Sequence, residues 1–168
     1  MLNLCEHVFF LLKERTDFVL MYAEADDNQA TEFINDIESY VTFADARRPT
    51  VTVDKIHDIG PGTTVLQGLN ELHDKYRLIL VLVTPLLLKD GYSQFLSEVV
   101  TLSGLTGTDE QADRVIPVWM LPKKECKMAW LKAITGFNHF GNKSDGTLKT
   151  DYIRRITDCV QRSRKNWC

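Results

Sequence analysis

Short apolar runs alternate with amphipathic stretches along the chain. Asp17-Phe18-Val19-Leu20-Met21-Tyr22 is an apolar run with acids close behind, the pattern of a buried strand feeding a loop. Between Asp27 and Tyr40, Ala30, Phe33, Ile34 and Ile37, with Val41 just beyond, recur every three or four positions and mark one face of a helix. Asp26 or Asp27 is placed to cap its start, since a short acid accepts the orphan amide hydrogens there. Thr50-Val51-Thr52-Val53 is β-branched throughout and predicts a second strand. Val65, Leu66, Leu69, Leu72 and Tyr76 form a second helical stripe. Arg77 to Thr84 is the strongest strand: Leu78 to Val83 is apolar at every position, so it is expected to be covered on both faces and central in a parallel sheet.

Pro85 stops that strand, and Phe95, Leu96, Val99, Val100 and Leu102 give a third helical stripe. Arg114 to Trp119 reads as a fourth strand, in which Pro117 implies a position near an edge or one free amide position. Lys123 to Phe140 is ambiguous, with a short helix around Met128–Ile134 and a weak last strand as the reading. Gly141 to Gly146 is a polar, turn-rich loop. A final helix is predicted from about Leu148 to Arg162, with Tyr152, Ile153, Ile156, Cys159 and Val160 inward, and an extra N-terminal helix is expected over Leu2 to Leu12. No repeat or linker divides the chain. The order predicts an α/β protein: one domain over 1–168, core about 16–160, with an open, mostly parallel five-stranded sheet and helices on both faces.

Composition narrows the class. The 168 residues are 44% hydrophobic and 26% charged with net charge -3, which suits a globular domain and speaks against long disorder or a nucleic-acid binder built on bulk charge. The longest apolar runs, Val8–Leu12 and Leu78–Val83, fall far short of the roughly 20 residues a membrane span needs. No basic residue precedes Val8 and no small-residue cleavage site follows, so no secretion signal is expected. Cys5, Cys126, Cys159 and Cys168 lack metal-ligand spacing and point to reduced thiols in the cytoplasm. In that setting the sequon Asn142-Lys143-Ser144 is expected to go unused.

In doubly wound sheets ligands sit beyond the carboxyl ends of the strands. There the chain offers Ala23-Glu24-Ala25-Asp26-Asp27 in place of a dinucleotide GxGxxG, and Gly62-Thr63-Thr64-Val65 lacks a P-loop lysine. No GxSxG elbow occurs. His7, His57, His73 and His139 are scattered without ligand spacing, so no metal is expected and each reads as a surface or capping residue. A phospho-accepting receiver needs an aspartate at the end of the third strand, where this chain has Thr84-Pro85. Arg154, Arg155, Arg162, Arg164 and Lys165 read as the solvated face and tail of the last helix.

The distinctive loop is Lys55-Ile56-His57-Asp58-Ile59-Gly60-Pro61-Gly62. Its glycines permit positive φ, Pro61 stiffens the tip, and Ile56 and Ile59 place apolar groups on an exposed loop suited to interaction. Asp58-Ile59-Gly60-Pro61-Gly62 resembles the D-x-x-P-G of the BB loop of Toll/interleukin-1 receptor (TIR) domains, with His57 where those often carry arginine. Asp17–Tyr22 resembles their first box, Tyr92-Ser93 through Glu98 their third-helix S-x-x-x-x-E region, and Val115-Ile116-Pro117-Val118 their fourth strand. The resemblance spans roughly Thr16 to Val160. Tyr22–Asp27 and Leu80–Thr84 are similar to TRIF/TRAM-type adaptors. The aromatic pair of the third box is absent, with only Tyr152-Ile153 in its place.

Two functions follow from the resemblance. It implies a flavodoxin-like TIR fold and a cytoplasmic adaptor module in innate immune, Toll-like receptor signalling. Such a module associates weakly with itself and with other TIR domains through Ile56, His57, Asp58, Ile59, Gly60, Pro61, Gly62 and Thr63, without a cofactor, nucleic acid or membrane insertion. The alternative is an NAD glycohydrolase, with NAD as substrate. Glu98, in the position of the catalytic glutamate of NAD-cleaving TIR domains, would then stabilise the oxocarbenium-like ribose. Glu98 equally suits a structural role, hydrogen-bonding the loop. Nicotinamide release that vanishes in Glu98→Ala separates the two.

Overall fold

Thr16–Met21 forms β1, whose five residues after Thr16 are all buried. The coordinates are a computed structural model, which describes residues 16–44, 48–57, 65–91 and 114–165. The acids behind β1 form one 3-10 turn (Glu24–Asp26) that leads directly into helix α1, Asp27–Tyr40. Its period-3.6 stripe buries Ala30, Phe33 and Ile37. Strand β2 is Val53–Ile56, helix α2 is Val65–Lys75, and β3 is Tyr76–Val83. Every residue of β3 is buried, as its unbroken apolar run requires of a strand covered on both faces. Strand β4 (Val115–Trp119), the short helix α3 (Ala129–Ala133), β5 (Phe137–Asn138) and the terminal helix α4 (Thr150–Lys165) complete the main body.

All four pairings within the five-stranded sheet are parallel and its order is β2-β1-β3-β4-β5. This is the flavodoxin-like arrangement, in which the chain steps to one side of β1 and then returns to the other. Alternate residues of each strand face opposite layers. Phe18, Leu20, Leu78, Leu80, Leu82 and Val118 pack with α1 and with Tyr152, Ile156 and Val160 of α4. Val19, Met21, Ile79, Val81, Val83 and Trp119 meet Leu72 of α2 and Leu131 of α3 on the other face. The expected five-stranded sheet with helices on both faces is therefore present. No helix among the described residues is long and apolar enough to cross a membrane.

Several expectations are corrected. The second strand lies three residues beyond Thr50–Val53, because Thr52 is held at the start of β1: its amide and hydroxyl both donate to Asp17 Oδ2, at 3.1 and 3.2 Å. Thr50 instead makes an isolated antiparallel bridge to Thr42. Tyr76 does not continue the helical stripe but opens β3 opposite Thr16. The reading of Pro117 agrees with the structure, since β4 lies one strand in from the edge and β5 reaches only Val118 and Trp119, which leaves Pro117 unpaired on that side. Gly136 approaches that proline so closely that a Cβ there would lie 2.2 Å from the Pro117 carbonyl oxygen.

The polar loop after β5 holds a two-residue hairpin, β6 (Lys143–Ser144) against β7 (Thr147–Leu148). Both turn residues have positive φ, 51° at Asp145 and 78° at Gly146, the pattern the Asp-Gly pair favours. His73 and His139 are buried rather than on the surface. His139 packs edge-on against Phe33 and Tyr152 and lies 3.2 Å from the Tyr152 hydroxyl. Burial lowers its pKa, so it is a neutral core residue. Arg164 is no solvated tail either. Its guanidinium grips Asp17 through two bonds, Nε to Oδ1 at 2.9 Å and Nη2 to Oδ2 at 2.6 Å. The proposed N-terminal helix 2–12 and the stripe from Phe95 to Leu102 lie outside the described residues.

Candidate functional site

The strand order puts the reversal between β1 and β3, so the crevice beyond their carboxyl ends is where a doubly wound sheet presents its chemistry. Asp26 and Thr84 meet there. Asp26 directly precedes α1 but makes no side-chain cap bond to the helix. Its buried carboxylate instead accepts a hydrogen bond at Oδ2 from the Thr84 hydroxyl, which accepts one from the Leu87 amide at 3.0 Å. Burial raises the Asp26 pKa, and the Thr84 bond offsets only part of that rise. This pair staples the first turn after β1 to the turn after β3.

A second cluster lies one strand over, toward the sheet edge. Tyr22, just past β1, donates its hydroxyl to Asp27 Oδ1 at 2.6 Å. Lys55 Nζ reaches the same oxygen at 2.7 Å and Thr31 Oγ1 at 3.1 Å, while the Thr31 hydroxyl donates to the Asp27 carbonyl. His57 stands edge-on to the Tyr22 ring with centroids 5.8 Å apart. The hydrogen bonds from Lys55 and then Tyr22 hold the Asp27 carboxyl below its ordinary pKa. Tyr22 is pushed up to about 12, first by burial and then by its bond to Asp27. At neutral pH the set is a phenol, a carboxylate and an ammonium already satisfying one another. The physical effect of the set is to hold the end of β2 against the start of α1.

That placement matters because β2 is an edge strand and the distinctive loop follows it directly. Of the residues singled out in that loop, Ile56 is the last residue of β2. It pairs with Met21 and is half-buried against the second core layer rather than displayed on the loop. His57 is exposed at the exit. Asp58, Ile59, Gly60, Pro61, Gly62, Thr63 and Glu98 lie outside the described residues. Sequence reading missed the roles of Tyr22, Asp27, Lys55 and Thr31. The signal was present in an acid one turn after β1 and a lysine at the carboxyl end of an edge strand. Among the described residues no group of three or more acids, histidines or cysteines is placed to hold a metal ion.

No family model and no curated protein matches the chain. Among solved structures it is similar to the TIR domain of the Toll-related receptor TRR-2 from Hydra magnipapillata. The two share 15% identity, with 89% of this chain and 98% of that chain covered and a TM-score of 0.46.

Proposed function

We propose that the chain is a TIR-type signalling module of the adaptor kind, which associates weakly with itself and with other TIR domains through the segment Asp58–Thr63. The observation that carries this reading is the D-x-x-P-G sequence of Asp58 to Gly62, set directly after an edge strand whose end is clamped to α1 by Asp27, Lys55 and Tyr22. A loop launched from the outermost strand can be reached by a partner without disturbing the sheet. Holding Lys55 fixes the end of the strand from which the loop departs, so less freedom is lost there on docking and more of a small interface's energy appears as affinity. Several copies engaging at once then strengthen a contact that is weak singly.

Sedimentation velocity across a concentration series tests the proposal with the wild-type chain and Pro61→His. The variant is expected to keep the wild-type circular dichroism and melting temperature and to lose concentration-dependent association. A folded Pro61→His protein that associates as the wild type does would overturn the reading.

A further inference from the structure

A cavity of about 480 Å³ opens beyond the carboxyl ends of β3 and β4, one strand removed from the Asp26–Thr84 crevice. Its size falls within the roughly 300–1,000 Å³ of small-molecule sites. Pro85 and Leu88 from the turn after β3, and Leu121 and Met128 from the segment after β4, supply an apolar lining. Lys89 and Lys127 stand at the rim with Glu125. All three are exposed, and none of them forms an ion pair with another described residue. The charged lining is therefore two lysines against one glutamate, a positive balance in a protein of net charge -3.

Both walls are held from behind. Leu87 is buried, and its amide is fixed by the Thr84 hydroxyl that also bonds Asp26. Across the cavity Leu121 and Cys126 are buried, and the Lys123–Glu125 turn is closed by the Glu125 and Cys126 amides. The hollow is therefore preformed, so a ligand need not order it on entry. An apolar hollow with two ammonium groups against one carboxylate at its mouth complements a molecule with an apolar body and one anionic end. Nucleic acid lacks the apolar body, and a cationic amphiphile would meet like charge.

We propose that this cavity binds a small amphiphilic anion, its hydrocarbon part against Leu88, Leu121 and Met128 and its acid head at Lys89 and Lys127. The inference is independent of loop docking, because it uses no residue of the Asp58–Thr63 segment. The test titrates the full chain, followed by two-dimensional amide and methyl NMR, with decanoate, decyl phosphate, decanol and decyltrimethylammonium, each below its micelle concentration. Decanoate and decyl phosphate are expected to saturate at one per chain with shifts centred on Leu88, Leu121 and Met128; preference between them tells carboxylate from phosphate. The double variant Lys89→Gln/Lys127→Gln is expected to bind decanoate about tenfold more weakly, the loss of two exposed charge contacts. Met128→Trp, which fills the hollow, is expected to abolish saturation. Should that variant not fold, the lysine double variant, altered only at exposed positions, carries the test. Non-saturating shifts, equal binding of the ammonium amphiphile, or full affinity in the lysine double variant would each overturn the proposal. So would a Met128→Trp chain that loses self-association while the wild type ignores decanoate, since the hollow would then seat a second copy.

Discussion

Asp17→Asn probes the most heavily determined polar contact in the fold. Asp17 sits at the start of β1 with 1% of its side chain exposed, and Arg164, near the end of α4, is 14% exposed. Besides its two bonds to Asp17, Arg164 donates to the carbonyls of Arg48 at 3.0 Å and Thr50 at 2.9 Å, and its guanidinium lies 4.1 Å from the Phe43 ring centroid. Arg77 Nε approaches the same carboxylate at 3.9 Å. Asparagine keeps the shape but removes the charge, leaving half-buried Arg164 and buried Arg77 without their counter-ion, a change that costs about 3–5 kcal/mol. That is a large share of the roughly 5–15 kcal/mol by which a domain is stable. With a urea m value of about 2 kcal/mol/M, the midpoint falls by about 1.5–2.5 M. Circular dichroism across a urea series reads the shift.

The pH dependence carries an independent sign. Burial alone would raise the Asp17 pKa, but the bonds from Arg164 and Thr52 outweigh it and the folded value lies below 3.8. Its contribution is therefore complete above the unfolded value and is lost as pH falls through the lower folded one. The gap between wild type and Asp17→Asn should begin to narrow below about pH 4 and close only below the folded value. A double variant, Asp17→Leu/Arg164→Leu, should recover much of the single-variant loss, because two apolar groups leave no stranded charge. A cost under about 1 kcal/mol for Asp17→Asn, the value of an ordinary surface pair, would refute the reasoning.

Gly136→Ala drives a Cβ against the Pro117 carbonyl, which is backbone and must move. A loss of about 1–3 kcal/mol, or roughly 2–12 °C in Tm, is expected by calorimetry, and an unchanged Tm refutes it. Because folding raises the Asp26 pKa, its ionised form opposes folding as pH rises above the unfolded value. Asp26→Asn retains an oxygen for Thr84, so its Tm relative to wild type should climb by about 2–4 °C between pH 3 and pH 7; a flat or falling difference counts against the account. Asp27→Asn should bring the Tyr22 phenol down from about 12, as seen in ultraviolet phenolate titration referenced to Tyr22→Phe. No change in that titration would show that Asp27 does not hold the phenol.

The sheet was legible wherever local pattern and tertiary role agree. The unbroken Leu78–Val83 run can be buried on both faces only as an interior strand, and the stripe of Ala30, Phe33 and Ile37 can face one layer only as a helix. Where a side chain answers to a distant residue, pattern misleads. Thr50–Val53 has the stronger β propensity, yet the ladder starts later because Asp17, 35 residues away, claims Thr52. Arg164 looked like solvated charge for the same reason. The Asp145-Gly146 turn, by contrast, was fully written in two adjacent residues and was passed over as a generic loop. At the site, the loop's composition could be seen, but its clamp joins Asp27 to Lys55 across 28 positions and no short window contains both.

The Asp17–Arg164 contact also bears on synthesis. It closes a loop between residues 147 positions apart, and it ties the strand at the heart of the early chain to nearly the last turn of the final helix. A chain is made from its N-terminus, so β1 is synthesised well before Arg164 and its carboxylate waits for that partner. Its guanidinium partner follows 147 residues later, and the long-range closure comes after the local contacts have formed. What this contact adds to stability therefore follows the nearer strand pairings of the sheet rather than preceding them.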